Sequence, residues 1–133
     1  MTDRLDSRNA IDDLLLGFYG IAVTDELLGP VFAAAHLDLA THLPRIGDFW
    51  ERTLLGTGSY DGQPMLVHRE LHQLVPLTPA LFDRWLELWA ATVDAHATGP
   101  VAEQAKATAR RVAAAFQRQL TGPNVLHIVS RAS

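Results

Sequence analysis

The chain has 133 residues, 48% of them apolar and 20% charged, with a net charge of −4 and no cysteine. That is one soluble globular domain, able to bury about two-thirds of its unfolded surface, and its acidic sign offers no basic field to nucleic acid or an anionic membrane. Without cysteine there is no disulfide, thiolate metal site, iron–sulfur cluster or cysteine nucleophile.

The opening MTDRLDSRNAIDD is polar and acidic, unlike a signal peptide, and a cytoplasmic location is the expectation. The longest apolar run, LLLGFYGIAV at 14–23, is too short to span a bilayer, so no membrane partner is expected. Ser7 and Asn9 can each cap a first helix whose apolar positions are Ile11, Leu14, Leu15, Phe18, Tyr19 and Ala22. Thr24-Asp25 ends it, and Gly29-Pro30 breaks a short following piece that finishes in VFAAA.

A second long helix begins at about residue 38 or 41, with Leu39, His42, Leu43, Ile46, Phe49, Trp50, Thr53 and Leu54 at three- and four-residue steps. Proline suits only a helix's first turn, so Thr41 is the preferred cap, placing Pro44 in that turn and His42 at the helix entrance. GTGSYDGQP at 56–64 is a loop, and PMLVHRELHQL a short helix. Thr78-Pro79 caps a fourth helix with Phe82, Trp85, Leu86, Trp89 and Val93 on one face. Gly99-Pro100 starts the last, whose inner face is Val101, Ala105, Ala109, Val112, Phe116 and Leu120. Gly122-Pro123 closes it, and the tail NVLHIVSRAS is expected to be mobile. No β-alternation is present. The fold class is all-α, one domain over 1–133 with a folded core of about 9–121.

Tyr19, Phe32, His42, Ile46, Trp50 and Trp85 all fall on faces expected to point inward. So many large residues with polar tips imply a lined cavity, because buried Tyr and Trp groups need partners. His68 lies among Pro64, Met65, Leu66, Val67 and Leu71. Alone it would read as a partly buried histidine bonded to a backbone carbonyl.

FY at 18–19, LGPVF at 28–32, HLPRIGDFW at 42–50, LLGTGSYDGQP at 54–64, VH at 67–68 and FDRWLELW at 82–89 resemble a truncated haemoglobin of the third, or P-type, group. The resemblance runs over roughly residues 9–120. It implies a truncated globin fold, a 2-over-2 helical sandwich around haem b, with His68 as the iron's proximal ligand. It also implies that Phe32 stacks on the porphyrin and that Tyr19, His42 and Trp85 are distal residues, with Ile46 packed over the ligand site. His42, at a helix entrance, either turns inward or swings to solvent as a gate. Trp50, Phe49, Phe82 and Trp89 read as cavity walls, Leu71 as a further haem contact, and Arg45, Arg69 and His72 as partners for the haem propionates. Tyr60 reads as structural, and His36, His96 and His127 are assigned nothing.

Each role has a physical case beside the resemblance. A neutral imidazole ligates iron while its second nitrogen is oriented by a carbonyl, available near Pro64 or Met65. Oxygen held by ferrous haem carries partial negative charge on its outer atom. Tyr19 O–H and Trp85 N–H are donors for it, each contributing about 1.5–3 kcal/mol. Two donors disfavour oxygen transport and favour redox chemistry on O2, NO or peroxide. NO dioxygenation or peroxidase-like turnover would require an external reductase, since no flavin or nicotinamide motif is present. CO would serve as a probe ligand. A monomer is the default. The alternative is a haem-free all-α globin-like sensor or interaction domain, which the presence of His68 disfavours.

Overall fold

The computed structural model describes residues 4–60, 62, 68, 71–72 and 76–121. Ser7 caps the first helix, α1 (Arg8–Ala22), its Oγ accepting from the Ala10 N–H at 3.2 Å. Gly29-Pro30 does not interrupt a helix as expected but begins one, α2 (Gly29–Ala34), because proline fits the first turn.

The start of α3 (Leu39–Leu55) corrects the sequence expectation. Asp38, not Thr41, is the cap: its carboxylate accepts from the Ala40 N–H at 3.1 Å and from the Thr41 hydroxyl at 2.8 Å. The Thr41 hydroxyl, with backbone N–H groups, holds the Asp38 carboxyl below the usual carboxylate range. A carboxylate outranks threonine at this position. Pro44 therefore lies in the second turn, where it removes the bond to the Ala40 carbonyl. Ala40 is exposed, so that carbonyl is open to water. Gly56, in the left-handed region at φ 71°, ends the helix.

Thr78 caps α4 (Pro79–His96), and Gly99, at φ 102°, turns the chain into α5 (Pro100–Thr121). α1 packs on α3 and α4, and α4 pairs with α5. Two helices thus lie over two, with no strand among the described residues. The main core joins Ile11, Leu14, Leu15 and Phe18 of α1 to Trp50 of α3, and to Trp89 and Val93 of α4. Ala102, Ala105 and Ala109 of α5 close its floor, and their small side chains let α4 and α5 approach closely. Val112 and Phe116, expected among the inner residues of α5, are only half-buried, while Ala113 is sealed.

A second cluster gathers Val31 of α2, Leu77, Phe82 of α4, and Ala113 and Leu120 of α5. Leu71, Trp85 and Phe116 pack against it half-buried. The two clusters meet along α4 at Leu81, Trp85 and Leu86, which touch both.

Candidate functional site

The site lies where these clusters meet. Consecutive residues of α1 point different ways: Phe18 is buried in the core, while Tyr19, one step of about 100° further round, is half-buried. The Tyr19 ring meets Phe18 edge-on at 5.0 Å and Phe32 of α2 at 5.9 Å. Phe18 in turn meets Trp85 at 6.1 Å and Trp89 at 5.2 Å, both edge-on. Phe18 is therefore the hub of an aromatic wall that carries Tyr19, Phe32 and Trp85.

Polar groups in this wall are of two kinds. The Trp89 indole N–H donates to the Ala105 carbonyl at 3.2 Å, as a buried donor should. Neither the Tyr19 hydroxyl nor the Trp85 N–H has a hydrogen-bond partner among the described residues, and neither atom is sealed. Both belong to half-buried side chains in an apolar setting. Burial pushes the Tyr19 phenol up to about 12, so it keeps its proton and remains a donor.

An ion pair fixes α4, and with it Trp85, against the turn after α1. Arg84 Nε and Nη2 donate to Asp25 Oδ1 at 2.9 and 2.7 Å. The other Asp25 oxygen accepts from the Leu27 and Leu28 N–H groups at 3.0 and 3.1 Å. Arg84, followed by these N–H groups, holds the Asp25 carboxyl below its ordinary range.

On the other side, the half-buried imidazole of His68 lies 4.3 Å from the Phe116 ring, tilted by 35°. Sequence reasoning placed Phe116 on the inner face of the last helix but gave it no site role. Its signal was that it is the sole aromatic in that helix. His72, one turn on from His68, accepts the Leu77 N–H on Nδ1 at 2.9 Å, which leaves its proton on Nε2.

The remaining candidates divide. Ile46, Phe49 and Leu71 are half-buried, and Trp50 and Phe82 are buried, all within the two clusters. Arg45 is exposed. Arg69, His127 and the carbonyls near Pro64 and Met65 lie outside the described residues. His42 is exposed rather than inward. The inner face of α3 runs through Leu43, Ile46, Gly47 and Trp50, and His42 sits one step round from it, in the first turn. His96, given no role, contacts the core through Gly17: a Cβ there would lie 2.7 Å from its Nε2. That close approach sets the spacing of α1 and α4.

These residues fit a haem. No group of three or more His, Cys, Asp or Glu able to hold a metal occurs among the described residues. The wall is apolar apart from two donors that have no partner among the described residues, the Tyr19 hydroxyl and the Trp85 N–H.

The sequence matches the bacterial-like globin family over residues 2–121. It is 29% identical over 118 residues to "Group 3 truncated hemoglobin ctb" of Campylobacter jejuni subsp. jejuni, covering 86% of this chain and 91% of that protein. The crystal structure of a group III truncated hemoglobin from C. jejuni is similar with a TM-score of 0.79 at 30% identity, covering 90% of this chain and 95% of that one. No described helix is long and apolar enough to cross a membrane.

Proposed function

The chain belongs to the bacterial-like globin family as a group III truncated haemoglobin, and on that premise we propose that it holds haem b through His68 and binds O2, NO or CO beside Tyr19 and Trp85. Haem, when bound, supplies an iron site for the gas and one-electron redox chemistry. The observation that carries this reading is the pair of donors at Tyr19 and Trp85, left without partners among the described residues in an otherwise aromatic wall.

His68 gives its imidazole to the iron, and Phe116 packs against that ring to limit its rotation. Phe32 and Phe82 offer apolar faces to the porphyrin, and Ile46, Phe49, Trp50 and Leu71 exclude water. Tyr19 and Trp85 donate to negative charge developing on the gas. His72, with its proton on Nε2, is a donor for a propionate, and Arg45 and Arg69 are candidate cations for the same groups. His42, at the solvent face, acts as a gate and not as a permanent pocket residue. Slow gas release from two donors disfavours oxygen transport. Conversion of NO or a peroxide, with electrons from an external reductase, suits the pocket better.

The test is a visible spectrum of the protein supplied with haem, before and after dithionite and carbon monoxide. A Soret band that shifts on CO addition is the expected result, with His68→Ala losing haem. A protein that stays colourless would overturn the proposal and leave a haem-free interaction domain.

A further inference from the structure

The chain has three tryptophans, and all three lie in one column. Trp85 and Trp89 are parallel to within 5°, with ring centroids 6.1 Å apart. Trp89 and Trp50 stack at 4.8 Å and 20°. Phe49 continues the series, meeting Trp50 at 5.2 Å and Tyr60 at 5.5 Å, both edge-on. Gas binding uses only the first member.

The ends of the column differ from its middle. Trp85 is half-buried, whereas Trp89 and Trp50 are 2% and 4% exposed. Tyr60 is half-buried in the loop after α3, where Thr57, Gly58 and Ser59 are exposed. Indoles and phenols are the side chains that give up one electron most readily, and stacked rings exchange electrons quickly. Trp89 donates its N–H to a backbone carbonyl, which is too weak a base to take the proton from an oxidised indole. An electron vacancy there is passed on. Tyr60 is half-buried in a loop whose preceding residues are exposed, a setting in which an oxidised phenol can give up its proton, so the vacancy is trapped on it. Tyr19 is nearer to the pocket but has no proton acceptor among the described residues, and a phenol that cannot shed its proton is hard to oxidise.

We propose that Trp85, Trp89 and Trp50 form an electron-hopping path that draws an electron from Tyr60, across Phe49, into the pocket when the bound haem meets a hydroperoxide. The inference rests on the haem reading above. Converting ROOH to ROH and water breaks the O–O bond and takes up two electrons and two protons. The haem, when bound, would supply one electron and Tyr60 the other, its hydroxyl proton going to solvent; the two protons taken up would come from solvent. A one-electron reductant of the ascorbate or hydroquinone class restores Tyr60 with one electron and one proton, and a second equivalent restores the haem. The path thus places the reducing contact at the loop and keeps the oxidant in the pocket.

The experiment is freeze-quench electron paramagnetic resonance on the haem-loaded ferric protein after hydrogen peroxide, with and without ring-deuterated tyrosine. The chain has two tyrosines, which makes assignment direct. A tyrosyl signal narrowed by deuteration is expected in the native protein. It should vanish in Tyr60→Phe, with the Soret band retained, and fall at least tenfold per haem bound in Trp50→Phe. Trp89→Phe is the second interruption of the column, should Trp50→Phe not fold. A signal that survives Tyr60→Phe belongs to Tyr19 and overturns the path. So does an unchanged yield in the tryptophan variants, or a native protein that forms no tyrosyl radical. Haem-loaded protein without the Tyr60 radical refutes the path alone, whereas protein that takes up no haem refutes the functional reading beneath it.

Discussion

Gly47→Ala should destabilise this protein, although replacing a mid-helix glycine by alanine ordinarily stabilises a helix by about 0.5–1 kcal/mol. A Cβ at Gly47 would lie 2.6 Å from Arg8 Nη2, 2.9 Å from Arg8 Cζ and 2.8 Å from Asp12 Oδ1. Those are ends of flexible side chains, but here they are pinned. Arg8 donates to Asp12 at 2.8 Å, Asp48 at 2.7 Å, Glu51 at 3.0 Å and the Pro44 carbonyl at 2.9 Å. The guanidinium is a rigid planar fork, so displacing one arm disturbs every bond. The Arg8 side chain is 29% exposed and its partners up to 45%, so each bond is discounted to roughly 0.5 kcal/mol. The loss is then about 2 kcal/mol, and the net effect a destabilisation of about 1 kcal/mol once the helix gain is subtracted. In an Arg8→Met background the obstruction is gone and the same substitution should stabilise by about 0.5–1 kcal/mol. Urea unfolding of the four members of this cycle, all in one haem state, reads the sign directly, with a midpoint shift of about 0.5 M per kcal/mol. Stabilisation by Gly47→Ala in both backgrounds would refute the argument that Arg8 joins α1 to α3 through this contact.

Tyr19→Phe removes one donor and should speed oxygen release about 10- to 100-fold, measured by stopped-flow displacement with CO. Because burial pushes the Tyr19 phenol up to about 12, release from the native protein should show no step from this group between about pH 6 and pH 9. Asp25 gives the acid dependence. Arg84 holds its folded-state pKa below the unfolded value, so the unfolded chain takes up its proton first as pH falls. The stability it contributes is fully present above about pH 4 and is lost as pH drops through the folded value. Asp25→Asn should flatten that part of the acid-unfolding curve recorded by circular dichroism, and an unchanged curve would show that the pair is not coupled to folding.

The helices were legible because their signals are local. Ser7, Thr78-Pro79 and Gly99-Pro100 act within one turn of the boundaries they set, and the stripes Ile11–Leu14–Leu15–Phe18 and Phe82–Trp85–Trp89 name their buried faces. The start of α3 misled because Thr41 and Asp38 can both cap, and only the folded chain shows the Thr41 hydroxyl serving Asp38. His42, expected either to turn inward or to swing to solvent, lies exposed in the first turn of that helix. Contacts across the fold were not legible at all. The Arg8 bonds reach partners up to 43 residues away and the Asp25–Arg84 pair spans 59. The meeting of His68 with Phe116 joins separate segments. Periodicity tells which side of a helix is buried, but not what lies opposite.

The same limit bears on the donors. From the sequence, Tyr19, Trp85 and Trp89 are alike: large, polar-tipped and on inward faces. The structure separates them, because Trp89 spends its N–H on Ala105 while the half-buried Tyr19 and Trp85 have no partner for theirs among the described residues. An unpaired donor fully buried would cost about 1–3 kcal/mol. Partial exposure lowers that cost without giving the group a protein partner. Such donors add little to folding, so their removal should leave stability nearly unchanged while altering gas release. Trp89→Phe should do the reverse on stability, since it leaves a void at a sealed position and removes the indole bond to the Ala105 carbonyl. A site group and a core group of the same chemical type are thus distinguished by which measurement their loss moves.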